Sequence, residues 1–136
     1  MSEKRAIVAG HADFAGGVIS AVAQIAGRES ALIGMSNRDL SARDVEAKMR
    51  ELAQQPNVTT IFTDLPAGSC TMAARKLLRE RPELVLVTGA NLASLLEFVF
   101  SDDMGPAEAA RHAVERGRSA LTTVESTAPG DARRGD

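Results

Sequence analysis

The chemistry this sequence could perform centres on one histidine and one aspartate. His11 follows the apolar run Ala6 to Ala9 and a glycine, Gly10. Asp64 follows the β-branched and apolar run Val58 to Phe62 and Thr63. If the two runs are neighbouring strands, an imidazole and a carboxylate meet at one rim. A carboxylate bonded to one ring nitrogen fixes the tautomer and leaves the other nitrogen's lone pair free as a nucleophile. It also stabilises the positive ring created on attack. An ordinary hydrogen-bonded loop histidine fits the same position, and spacing alone leaves both open. Asp64 to Ser69, in the string TDLPAGSC, joins a turn-forming Pro66, a flexible Gly68 and a hydroxyl able to cap the next helix. The free N–H groups and positive dipole end of such a helix suit a phosphoryl group, whose transfer needs positioning and electrostatic stabilisation more than a strong base. A plain helix cap is the simpler role for Ser69, and the two are compatible.

Other reactive types carry less. Cys70 lies in a first helical turn with no second histidine near it, which suits a packed thiol. His112 stands between Glu108 and Arg116 at helical spacing, on a solvated face. Asp13 reads as the cap of the first helix, and Asp102-Asp103 as an acidic turn that could bind a metal but more simply meets water, two carboxylates without further ligands being a weak metal case. The phosphate-loop pattern G-x-x-x-x-G-K-[ST] is absent, and Gly10, Gly16 and Gly17 miss the dinucleotide spacing G-x-G-x-x-G. No metal, nucleotide or other cofactor is expected.

The elements that must position these residues alternate. Ala6 to Ala9 reads as a first strand buried on both faces, and Val18, Ile19, Val22 and Ile25 trace a helix ending at Gly27. Ala31 to Met35 is a second strand, and Ser41 with Asp44 opens a helix carrying Val45, Met49 and Leu52 on one face. The third strand, Val58 to Phe62, leads to a helix with Ala73, Ala74, Leu77 and Leu78 inward, stopped near Pro82. Leu84 to Val87 is the fourth strand. Behind an Asn91 cap come Leu92, Leu95, Leu96, Val99 and Phe100, and after Gly105-Pro106 a last helix carries Ala107, Ala110, Val114 and Leu121. This alternation predicts a doubly wound α/β domain: a mainly parallel four-stranded sheet with helices on both faces. Leu121 to Thr127 is equally a short fifth edge strand, within the chain or across a dimer, or a frayed helix end. One domain over residues 1–123 and a flexible tail over 124–136 follow from length and from the Pro, Gly and charge of the tail. Ligands of such sheets sit beyond the carboxyl ends of the strands, at Gly10-His11, Ser36-Asn37, Asp64 to Ser69 and Gly89 to Asn91.

Composition narrows the partners. With 136 residues, a formal net charge of −2, 3% aromatic residues and neither Trp nor Tyr, the chain is a poor match to nucleic acid or a lectin-like site. Its single Cys rules out an internal disulfide, and no apolar run has membrane length. A cytoplasmic protein without direct membrane insertion is expected.

The strings AIVAGHADFAGGVISAVAQIAG, FTDLPAGSCTMAARKLL, VLVTGANLASLLEFVF and AARHAVERGRSAL resemble, in order and spacing, the IIA proteins of the mannose family of the bacterial sugar phosphotransferase system. The likeness runs from about Arg5 to about Leu121. It implies that His11 is phosphorylated through Nε2, that Asp64 orients it, and that Ser69 with the amides of its neighbours Gly68 and Cys70 cradles the phosphoryl group. It also implies a homodimer that receives the group from the histidine-containing phosphocarrier protein and passes it to a IIB partner in sugar uptake. Two departures stand out. The family's Gly after the histidine is Ala12 here, and its Gly-Gly-Ser-Pro loop is Ala67-Gly68-Ser69-Cys70. Both narrow the backbone's options where positive φ is needed. A phosphorylation-dependent regulator without a transport role, and a receiver-like binding domain using Asp64, are the alternatives. The second lacks the acidic pair after strand one that receivers use to hold a metal.

Overall fold

A computed structural model describes residues 3–127. Strands β1 (Arg5–Gly10), β2 (Leu32–Ser36), β3 (Val58–Thr63) and β4 (Val85–Thr88) form one all-parallel sheet in the order β2-β1-β3-β4. The helices are α1 (Phe14–Ala26), α2 (Ala42–Leu52), α3 (Ser69–Glu80), α4 (Leu92–Val99) and α5 (Pro106–Ala120). Side chains of a strand alternate faces, so β1 feeds two cores. Ala6 and Val8 meet Val22, Phe62, Leu95 and Phe98 under α1, α4 and α5, while Ile7 and Ala9 meet Val45, Met49, Ile61 and Leu77 under α2 and α3. The continuous apolar run in β1, and β3 with Thr60 and Thr63 buried beside Ile61 and Phe62, are what a sheet covered on both sides demands. Phe62 and Phe98 pack edge to face at 5.3 Å between centroids, fixing α4 against β3.

The chain leaves β1 to β2 on one side and reaches β3 on the other, so the order reverses between β1 and β3. Their carboxyl ends are where such a sheet opens a crevice. Ala9 is paired with Thr63, which brings the residues after them to one level.

Several expectations are corrected. The second strand starts at Leu32, because Glu29–Ala31 forms a 3-10 turn. Ile25 and Phe100, each at a helix end, are mostly exposed at 61% and 57%. The buried line of α5 runs through Ala109, Ala110, Ala113 and Gly117, leaving Ala107 and Leu121 in solvent. Leu121 to Thr127 is exposed throughout and pairs with no strand among the described residues, which therefore hold no fifth strand. The expected tail reaches beyond Thr127, outside the described residues.

Candidate functional site

His11 and Asp64 meet at the crevice. Asp64 Oδ2 accepts the His11 main-chain N–H at 2.9 Å and lies 2.8 Å from its Nδ1, so one oxygen grips both the backbone and the ring. The ring stays open, with 52% of the side chain exposed against 12% for Asp64. Burial works to raise the Asp64 pKa, but the bonds from the His11 main chain and ring outweigh it and hold the carboxyl below its ordinary value. An ionised Asp64 bonded to Nδ1 requires that nitrogen to carry the proton. Nε2 is thereby the basic, nucleophilic nitrogen.

Gly10 makes this approach possible. A Cβ there would stand 2.8 Å from Asp64 Cγ and 2.9 Å from Phe14 Cδ2, closer than atoms tolerate. Gly68 has φ 110 and ψ 172, a conformation essentially reserved for glycine, and a Cβ on it would lie 3.4 Å from His11 Cε1 and 3.9 Å from Nε2. The nucleophilic edge of the ring therefore faces the start of α3. The first backbone bond into that helix runs from Met72 N–H to Gly68 O at 2.9 Å. The N–H groups of Ser69, Cys70 and Thr71 lie ahead of it at the positive end of the helix dipole. Thr71 Oγ1 bonds the Leu65 carbonyl at 2.6 Å and lies 2.7 Å from Thr63 Oγ1, which ties the loop to β3.

The residues expected at the site thus gather there, with adjustments. Ser69 is the first residue of α3 and caps nothing, because Gly68 takes the cap position. Its Oγ instead accepts from Asn37 Nδ2 at 2.9 Å. The Cys70 side chain is buried among Ile7, Ala9 and Ala74, and burial pushes the thiol pKa up to about 11, so only its main chain faces the crevice. Asp13 holds the cap position of α1 without a side-chain bond, its carboxylate pairing with Arg38 at 3.2 Å. Ala12 takes the left-handed conformation, φ 48, that its place in the turn demands, at a cost of roughly 1–2 kcal/mol. Ala67 is not among the positive-φ residues, so its replacement of glycine strains nothing. His112 lies on the α5 surface, 4.0 Å from Glu108, and Asp102 pairs with Arg28 at 2.9 Å. No group of three or more His, Cys, Asp or Glu among the described residues is placed to hold a metal ion. Asn37 was legible as a rim residue, but no sequence signal linked it to Ser69.

A family model described as PTS system fructose IIA component, of the mannose type, matches residues 5–115. The chain belongs to the mannose-type IIA family. It is accordingly a component of a sugar phosphotransferase system. Among solved structures, the mannose/sorbose-specific IIA subunit from Enterococcus faecalis is similar at TM-score 0.79 and 23% identity, covering 93% of this chain and 98% of that one. The EIIA component from Streptococcus agalactiae is similar at TM-score 0.77 and 22% identity, with 88% and 95% covered. A IIA protein associated with the fucose utilization operon of Streptococcus pneumoniae follows at 0.75 and 19%, with 90% and 96% covered. At these identities the structural likeness speaks for the fold, which this IIA chain shares over nearly its whole described length. Comparison with curated proteins finds no match. No helix among the described residues is long and apolar enough to cross a membrane.

Proposed function

We propose that this IIA chain is a phosphohistidine carrier in sugar uptake, accepting a phosphoryl group on His11 Nε2 from the histidine-containing phosphocarrier protein and passing it to a IIB partner. The single observation that carries the proposal is the split environment of the His11 ring, Nδ1 on Asp64 and Nε2 toward Gly68 and the start of α3. In the forward step the Nε2 lone pair forms a bond to phosphorus as the donor's own N–P bond breaks. The donor imidazole leaves with that electron pair. The His11 ring, now substituted at Nε2 and protonated at Nδ1, is positive and faces the Asp64 carboxylate. The phosphoryl oxygens meet the Ser69 hydroxyl and the N–H groups of Ser69 and Cys70. In the second step an acceptor on the IIB partner attacks the same phosphorus, and His11 returns to its starting state.

The carrier acts in the cytoplasm as a homodimer. β4 is an edge strand, and the groove between it and α5 is lined by Val85, Val87, Ala110 and Val114. Leu121 and Val124 stand exposed at 85% and 91%, and laying Leu121 to Thr127 of one copy along β4 of the other would cover both.

The test is intact-mass analysis after incubation with phosphoenolpyruvate and the general phosphotransferase proteins. The wild type and His112→Ala are expected to gain one acid-labile phosphoryl group, Asp64→Ala to gain it slowly and His11→Ala not at all. A folded wild type that gains nothing would overturn the proposal.

A further inference from the structure

Asn37, just after β2, is held by its own main chain. Its N–H donates to the Gly10 carbonyl at 3.1 Å, and its carbonyl accepts the Leu40 N–H at 3.1 Å. Its side chain then reaches across the carboxyl edge of the sheet, where Nδ2 donates to Ser69 Oγ at 2.9 Å in a partly buried contact. A serine hydroxyl owns one proton and two lone pairs. Because Oγ receives a proton from the amide, its own proton remains to be given elsewhere. A serine in the first turn of a helix otherwise turns its hydroxyl to nearby main chain, and no side-chain cap bond is made at this helix.

We infer that Asn37 is a positioning residue that holds the Ser69 hydroxyl as a hydrogen-bond donor toward the phosphoryl group on His11. This rests on the carrier function proposed above. A phosphoryl dianion offers only acceptors, so it is met by a hydroxyl that keeps its proton and is repelled by one that presents lone pairs. An amide at position 37 secures the first arrangement. A carboxylate of the same shape, which only accepts, would draw the Ser69 proton to itself and reverse it.

The experiment measures the rate of acid-labile phosphoryl uptake from phosphoenolpyruvate and the general proteins in wild type, Ser69→Ala, Asn37→Ala, Asn37→Asp and the two double variants. Thermal midpoints are followed alongside. Ser69→Ala is expected to slow uptake about tenfold to a hundredfold, Asn37→Ala about three- to tenfold, and Asn37→Asp at least as much as Ser69→Ala. In the Ser69→Ala background, Asn37→Ala is expected to add nothing and Asn37→Asp only the roughly twofold effect of an added negative charge at the rim. A merely structural Asn37 would act equally in both backgrounds, and that result, or no effect in either, overturns the inference. The two Asn37 variants are read separately, so loss of fold in one leaves the comparison to the other. A wild type that takes up no phosphoryl group overturns the carrier function and this inference together. Normal wild-type uptake that the Asn37 variants leave unchanged overturns the inference alone.

Discussion

At His11 the nitrogen facing Asp64 and the nitrogen facing Gly68 have different neighbours, and the difference suits one to hold a proton and the other to react in the carrier function proposed above. The same contacts couple Asp64 to stability. Its folded pKa lies below the ordinary 3.8, so its contribution is fully present above about pH 4 and is lost as pH falls through the folded value. Denaturant titrations are therefore expected to show wild type more stable than Asp64→Asn at about pH 6, with the gap narrowing as pH falls below about 4. A gap that widens in acid would contradict that sign. Cys70 makes the opposite kind of prediction. A buried thiol with a pKa of about 11 holds almost no thiolate near neutrality, so alkylation at about pH 8 is expected to be slow in the folded protein and fast in denaturant. Rapid labelling of the folded chain would place the thiol in the crevice instead.

The junction of β3 and α3 is the element on which the site depends, since one loop supplies Asp64, the glycine under the ring and the helix start. Gly68→Ala is expected to lower stability by about 1–3 kcal/mol, from the strained φ. It should also slow phosphoryl uptake at least about tenfold, because the added methyl sits 3.9 Å from Nε2, where the proposed function brings the phosphoryl group. Thermal melts and uptake rates read the two effects separately, and unchanged uptake would remove Gly68 from the site. Much of this element was legible in the sequence. The apolar run of β1, the β-branched and apolar run of β3 and the Asp and Gly-Ser of the loop carry strong local signals, which is why the placing of His11, Asp64 and Gly68 at one rim was readable. Ser69 was misplaced by one position because Gly68, not the serine, adopts the non-helical cap conformation. Ile25 and Leu121 continue the helical period but lie where each helix runs past the edge of the core. The buried line of α5 is made of alanines and a glycine, whose small side chains give the period little amplitude. Asn37 escaped because its partner is 32 residues away and the bond exists only once β2 and α3 share a rim.

At the scale of the whole molecule, a four-stranded sheet covered on both faces still leaves β4 as an edge, and an exposed Leu121 to Thr127 follows the last helix. If that segment pairs with a second copy, Leu121→Ser with Val124→Ser is expected to weaken the dimer at least about tenfold in sedimentation equilibrium, since apolar contact with Val85, Val87, Ala110 and Val114 would be lost. An unchanged dimer would place the interface elsewhere. The proposed carrier function turns on which atom takes the load, and nitrogen-15 NMR of the phosphorylated, histidine-labelled protein reads this directly from the coupling between phosphorus and the ring. The predicted result is phosphorus on Nε2 of His11 with Nδ1 still protonated against Asp64. Phosphorus on Nδ1, or on His112, would contradict the account.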